Sequence, residues 1–379
     1  MKTAFINANI VLKNEIIENG ALLVEDGVIT RVGKDFPIAR DFAYVDVEGK
    51  YLAPGFIDIH THASDRKFFM EAPEECAKYH LEHGTTSVYP ALYFSMNTEQ
   101  YVAAIKQMKE AKNNTVNIEG VYLEGPYLNP KFGCDKEHCP WKDKADPEKF
   151  MPIVDEAKDF AVVYCVAPER EGILDYVKAV REANPNAVFS VAHSEAAPEQ
   201  CEALIPYGLK IGTHFTDATG KVHRWPDVEI VGVGPDEVVL LHDEMYAELI
   251  VDEFGIHVDP YMLKLARKVK GDDKLILISD AYAADGPVPE GYDGVTDINF
   301  DWTGEIAGSK INLASAVRNM MKHTGAGIVE AVRMATANPA TAIGVTDRGE
   351  IKEGMKADLI IIDDKINVSA VFKNGEQVI

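Results

Sequence analysis

The chain is poor in cysteine, with five in 379 residues. They stand at 76, 134, 139, 165 and 201, an odd and scattered set. A disulfide framework is therefore excluded as the basis of the fold, and the count fits a reducing cytoplasm. Cys134, His138 and Cys139 fall close together but lack a second ligand pair at zinc-finger spacing, so they read as an ordinary loop. Long apolar runs are missing too. Nothing approaches the roughly 20 residues that a membrane helix needs. The first residues carry asparagines at 7 and 9 and no signal-peptide core, which points to the cytoplasm.

Positive charge is also scarce. Lys and Arg number 38 against 61 Asp and Glu, a formal net charge of −23. Such a chain repels nucleic acid and anionic membranes, so neither is expected as a partner. An anionic substrate would need a local cationic pocket. Low-complexity tracts and linkers are absent, which argues against disorder.

What is present is a large apolar content, 46% of residues, enough for a substantial core. The length suits one large domain and one small one. Both ends read as short strands with turns. Thr3 to Leu12, Ala21 to Glu25, Val28 to Val32 and Tyr44 to Val47 open the chain, with Asp26-Gly27 as a hairpin signal. Asp358 to Asp363 and Val368 to Phe372 close it. A lone short sheet cannot bury a face, so residues 1–53 and 345–379 are expected to share one small β-sandwich.

The middle, 54–344, alternates strand-like runs with amphipathic stretches. The runs include Ser87 to Leu92, Asn117 to Leu123, Ala161 to Val166, Ala187 to Ala192, Leu209 to Thr213, Tyr246 to Val251 and Lys274 to Ser279. Thr98 to Lys112, Ile173 to Ala183 and Pro260 to Val269 read as helices. A (β/α)₈ barrel takes about 250 residues and fits this span. A doubly wound sheet is the competing topology, but no Gly-rich nucleotide loop follows the first middle strand.

Polar residues recur where these strands end. His60 and His62 stand at i and i+2, on the same side of an extended strand, so both can reach one ion. Glu124 precedes a Gly-Pro break, His193 and His214 each close a strand, and Asp280 ends an apolar one. In a barrel these ends surround one pocket. Neutral imidazoles with carboxylates suit zinc, with iron or manganese as alternatives. Other histidines fit less well. His80 and His83 before Gly84 read as helix C-terminal charge and capping, and so does His323 before Gly325. His138 and His242 carry no motif.

Pro54-Gly55-Phe56-Ile57-Asp58-Ile59-His60-Thr61-His62 is similar to the opening motif of the amidohydrolase superfamily. Later motifs resemble one branch of it, the N-acetylglucosamine-6-phosphate deacetylase family. They are Leu123-Glu124-Gly125-Pro126-Tyr127-Leu128-Asn129-Pro130, Ala192-His193-Ser194, Thr213-His214-Phe215, Gly255-Ile256-His257-Val258, Ser279-Asp280-Ala281, Ile306-Ala307-Gly308-Ser309 and Ala335-Thr336-Ala337-Asn338-Pro339-Ala340. They run in order from Pro54 to near the C-terminus.

The resemblance implies roles. Glu124, His193 and His214 would hold the metal found throughout that family. His60 and His62 would hold a second, with Glu124 bridging, and Asp280 also counts among the metal ligands. Asp280 would be the catalytic acid–base. His257 would contact substrate and polarise the acyl carbonyl. Asp217, Ala218 and Ile306 fall in segments that would line the substrate. Arg224 resembles an arginine that reaches a sugar phosphate across a dimer interface, so a homodimer is implied. The implied activity is hydrolysis of the N-acetyl amide of an amino sugar, N-acetylglucosamine-6-phosphate or a close variant, in amino-sugar catabolism.

Three departures fall in the recognition loops. Asp217 stands where the family has an asparagine in "THLFNAM", Ala63-Ser64-Asp65-Arg66 replaces a Gly-rich continuation, and Gly133-Cys134-Asp135 replaces "GAH". Two alternatives follow. One is an amidohydrolase acting on another N-acyl or cyclic amide, or a deaminase. The other is a non-catalytic scaffold with this fold, though no ligand has been lost.

Overall fold

Both ends of the chain meet in one eight-stranded sheet. The structure, a computed structural model, describes residues 1–133, 137–225 and 231–379. Lys2–Val11, Ile16–Glu25, Val28–Gly33, Ala43–Asp46 and Tyr51–Pro54 join Leu359–Ile362, Val368–Lys373 and Glu376–Gln377. The seam is an antiparallel pairing that sets Leu359 opposite Pro54 and Ile361 opposite Leu52. The Asp26-Gly27 hairpin forms as expected. Its two loop residues sit at φ +50° and +82°, the left-handed pair that a two-residue turn needs to follow the strand twist.

Phe5, Leu22, Ile29, Leu52, Leu359 and Phe372 form the core of this sheet. Phe5 and Phe372 meet edge to face at 4.8 Å. Burial of each such side chain stabilises by about 1.5–3 kcal/mol, and no single terminus supplies the set.

The middle of the chain is a barrel of eight parallel strands in sequence order. They are Phe56–Thr61, Thr85–Tyr93, Val121–Glu124, Ala161–Val166, Val188–Val191, Leu209–Gly212, Tyr246–Ile250 and Leu275–Ile278. The backbone closes the ring. The Asp280 N–H donates to the His60 carbonyl at 2.9 Å, and the His62 N–H to Ala281 at 3.0 Å. The last strand, Leu-Ile-Leu-Ile, is wholly buried, as a strand covered on both faces must be. The helices form where periodicity and caps require. Thr98–Asn114 opens with a capping box, in which the Gln100 N–H donates to Asn97 Oδ1 at 2.9 Å and the Asn97 N–H to Gln100 Oε1 at 2.8 Å.

One expected strand is shorter than its apolar pattern. Asn117 to Leu123 becomes strand only from Val121. Asn117 instead turns inward, and its amide donates to the carbonyls of Ala77 and Thr85 at 2.8 and 3.1 Å, tying a helix to a strand.

The sheet and the barrel are joined by a buried cation. Lys373 Nζ donates to Asp358 at 2.9 Å, to Glu119 at 2.9 Å and to the Thr86 carbonyl at 2.8 Å. A buried ammonium with three acceptors offsets its desolvation, and losing one partner would leave charge unpaired. No helix among the described residues is long and apolar enough to cross a membrane.

Candidate metal centre

All eight barrel strands run the same way, so residues that follow strands far apart in sequence end at one mouth. Among the described residues, two groups of potential ligands gather there. One is His60, His62 and Asp280, the other Glu124, His193 and His214. All six are buried.

Glu124 stands between the groups. Its Oε1 lies 2.8 Å from His193 Nε2 and 3.3 Å from His214 Nε2, and its Oε2 lies 3.1 Å from His62 Nε2. Asp280 Oδ1 lies 3.4 Å from His62 Nε2 and 3.6 Å from His60 Nε2. Three of the six residues pay for their aim in backbone strain. His193, His214 and Asp280 sit at φ +42°, +29° and +41°, where a side chain costs on the order of 1 kcal/mol. Each is the turn residue just beyond a strand, and the left-handed backbone swings its side chain into the mouth.

The residues fit divalent ions. His60 Nε2 is buried with no hydrogen-bond partner among the described residues. The Nε2 atoms of His193 and His214 face each other at 3.1 Å, a contact that calls for a cation or proton. Electrostatics agree. Burial lowers the His62 pKa, but hydrogen bonds and charge from Asp280 and Glu124 outweigh it and hold the group at about 10. His214 is held up at about 9 by Glu124 against the same burial. Burial opposes ionisation of Glu124, yet the three histidines around it bring its pKa well below the carboxylate range. Four imidazoles with two carboxylates form a donor set that suits zinc-like ions.

A cavity of about 530 Å³ opens above this floor. Asp217, Ala218, His257 and Ile306 line it, where the sequence expected substrate contacts. His257 Nδ1 lies 3.5 Å from Asp252, whose carboxylate also accepts backbone N–H groups from Ile256 and His257 at 2.9 Å each. Burial opposes ionisation of Asp252, but these bonds bring its pKa down to about 2. The His257 Nε2 has no hydrogen-bond partner among the described residues.

Arg224 does not join this cavity within the chain. It is exposed, pairs with Glu199, and lines a separate surface groove with Trp225. His80 is not the helix-end charge that its position before Gly84 suggested. It is wholly buried, bonds the Ala63 carbonyl at 2.9 Å, and burial pulls its pKa down to about 4. His83 does cap its helix, with Nδ1 2.8 Å from the Tyr79 carbonyl. His323 ends its helix but bonds the Asp252 carbonyl on a neighbouring segment at 2.9 Å. Cys134 and Asp135 lie outside the described residues, so the Cys134–His138–Cys139 loop and the Gly133-Cys134-Asp135 departure are described only in part.

Two carboxylates escaped the sequence reading, Asp252 and Glu248. Glu248 is wholly buried under the site, with Oε2 3.3 Å from His60 Nδ1. Its only signal in sequence is a charge inside an otherwise apolar strand, Tyr-Ala-Glu-Leu-Ile.

Comparison with known proteins bears on this geometry. The family model described as "Amidohydrolase family" matches residues 51–378. An N-acetylglucosamine-6-phosphate deacetylase of Haemophilus influenzae is 28% identical, with 99% of each chain covered. One from Lysinibacillus sphaericus is 29% identical over 93% of this chain and 91% of its own. The crystal structure of N-acetylglucosamine-6-phosphate deacetylase from Pasteurella multocida superposes with a TM-score of 0.86 at 28% identity, over 100% of this chain and 99% of that one. With its barrel, its terminal sheet and its clustered ligands, the chain belongs to the amidohydrolase family.

Proposed function

We propose that this chain is a metal-dependent hydrolase that removes the N-acetyl group from an amino sugar, N-acetylglucosamine-6-phosphate or a close variant. The observation that carries the proposal is the placement of Glu124, one oxygen toward His193 and His214 and the other toward His62, with Asp280 beside His60 and His62. The names of the relatives support the substrate class. His60, His62 and Asp280 would hold one divalent ion, and Glu124, His193 and His214 another. Zinc suits the donors best, with iron or manganese next. The division into a small domain of 1–53 with 345–379 and a barrel of 54–344 is supported by which strands share each sheet. A cytoplasmic homodimer completes the proposal, supported by the buried thiols of Cys76, Cys165 and Cys201 and by the exposed groove at Arg224.

When bound, the ions lower the pKa of water toward about 7 and polarise the amide carbonyl. Asp280, whose pKa His60 and His62 hold down despite its burial, takes the proton of the attacking water. The water oxygen bonds the carbonyl carbon. Asp280 then passes the proton to the nitrogen as the C–N bond breaks, giving acetate and the amine. His257, kept above the usual histidine range by Asp252, donates Nε2–H to the developing oxyanion. Metal-loaded protein incubated with N-acetylglucosamine-6-phosphate should release acetate and primary amine in equal amounts. Absence of both products across phosphorylated and unphosphorylated N-acetylhexosamines would sink the proposal.

A second reading keeps the chemistry and changes the recognised group. Asp217 lines the cavity with Oδ2 unpartnered among the described residues, and burial lifts its pKa to about 6, so it is mostly ionised at neutral pH. Among the described lining residues Lys131 is the only Lys or Arg, and Glu195 already pairs with it. A carboxylate about 4 Å from a phosphate costs on the order of 1–4 kcal/mol. This favours an N-acyl amino sugar without phosphate at that position.

A further inference from the structure

We infer that Glu248 is a positioning residue that sets the tautomer and aim of His60, and so the affinity of the ion held by His60, His62 and Asp280. The inference rests on the two-ion reading above.

Glu248 occupies the middle of the strand Tyr246–Ile250 and is wholly buried. Its two oxygens each lie 3.2 Å from the Tyr122 hydroxyl, and Oε2 lies 3.3 Å from His60 Nδ1. Among the described residues no Lys or Arg pairs with it, so His60 is its one ionisable basic partner. An ionised Glu248 can only accept, so its hydrogen bond to His60 calls for the proton on Nδ1. That leaves the Nε2 lone pair facing Asp280 and Glu124, at 3.6 and 3.9 Å. The Tyr122 ring stacks on the His60 ring at 4.3 Å and 26°, which stops the imidazole from turning. Thr213 Oγ1, 3.0 Å from the Tyr122 hydroxyl, anchors that ring in turn.

The other imidazoles lack such support. Among the described residues His62 Nδ1 meets only a neutral carbonyl, Ala91, at 3.1 Å, and the Nδ1 atoms of His193 and His214 have no hydrogen-bond partner. A carboxylate behind an imidazole fixes its orientation and raises its basicity, and losing it typically costs 10–100-fold in metal affinity. The asymmetry therefore points to one ion. A cation on His60 Nε2 also offsets the cost of burying Glu248, which pairs with no Lys or Arg among the described residues.

The experiment is a Zn²⁺ titration of the metal-free full-length chain against a chromophoric chelator, with metal analysis and a thermal melt of each variant. Wild type should take two ions. Glu248→Ala should hold one ion at wild-type affinity and the other 10–100-fold more weakly. Glu248→Gln keeps an acceptor for Nδ1–H and should fall between the two. The inference is overturned if Glu248→Ala binds both ions as wild type does. It is also overturned if Gln is as weak as Ala, or if both variants weaken both ions alike, the mark of general damage. A wild type that binds one ion overturns the two-ion reading along with it. None of these outcomes depends on turnover of any sugar, so a wrong substrate class is detected separately.

Discussion

The Nε2 atoms of His193 and His214 face each other at 3.1 Å across the floor of the cavity. Two lone pairs cannot sit that close without a proton or an ion between them. In the metal-free chain the proton rests on His214, held up at about 9 by Glu124, while burial pushes the His193 pKa down. His62, at about 10, carries another. A metal ion needs these lone pairs, so loading must expel about two protons near pH 7. The apparent enthalpy of Zn²⁺ binding should vary with the ionisation heat of the buffer, with a slope near that number. Affinity should fall as the pH is lowered. A slope near zero would show that the imidazoles are already deprotonated.

Asp280 stands beside His60 and His62, with Oδ1 3.6 and 3.4 Å from their Nε2 atoms. Asp280→Asn keeps the shape and removes the base. Turnover should fall by about 10²–10⁴-fold. The ion at Glu124, His193 and His214 should remain, since none of those residues is touched. Steady-state kinetics with metal analysis on the same sample checks both halves, and wild-type kcat would refute the assigned role.

Much of this centre was legible in sequence because barrel geometry turns position along a strand into position in space. His60, His62, Glu124, His193, His214 and Asp280 each close an apolar run, and parallel strands bring such ends together. Glu248 was not legible, because it lies within a strand, and spacing along the chain does not say what faces it across the barrel. Asp252 was hidden for a related reason. It is recognised only once the loop folds back and His257 lands on it. His80 misled because a histidine just before a glycine looks like a helix end, whereas its face of the helix is packed against Phe69. Arg224 lies outside this cavity within the chain, and the reach proposed for it would need a second copy, which no single-chain pattern contains.

Asp217 tests the sugar's phosphate. Asp217→Asn removes a charge from the cavity wall without changing its size. If the second reading holds, the variant should lower KM for N-acetylglucosamine-6-phosphate at least about fivefold, the lower end of the repulsion expected near 4 Å. KM for the unphosphorylated sugar should move little. An unchanged ratio of the two KM values would mean that Asp217 does not oppose phosphate, and the phosphorylated substrate would then stand.

His80 gives the chain a pH-dependent stability that the metal chemistry does not supply. The imidazole is wholly buried, and burial pulls its pKa from 6.5 down to about 4. In the unfolded chain it takes a proton as pH falls through 6.5, whereas in the folded chain it stays neutral until about 4. The unfolded state therefore binds more protons between these values. The contribution of His80 is complete above pH 6.5 and drains away as the pH falls toward 4, by on the order of 3 kcal/mol. His80→Gln has no such titration, and its amide can still donate to the Ala63 carbonyl. Urea unfolding of both metal-free proteins at pH 7 and pH 4.5 isolates the effect, because the carboxylates of the metal centre titrate alike in each. Wild type should lose more stability than His80→Gln between the two pH values. Equal losses would mean that His80 titrates alike in the folded and unfolded chain, and a smaller loss in wild type would mean that it already carries its proton when folded; either result refutes the pull of burial.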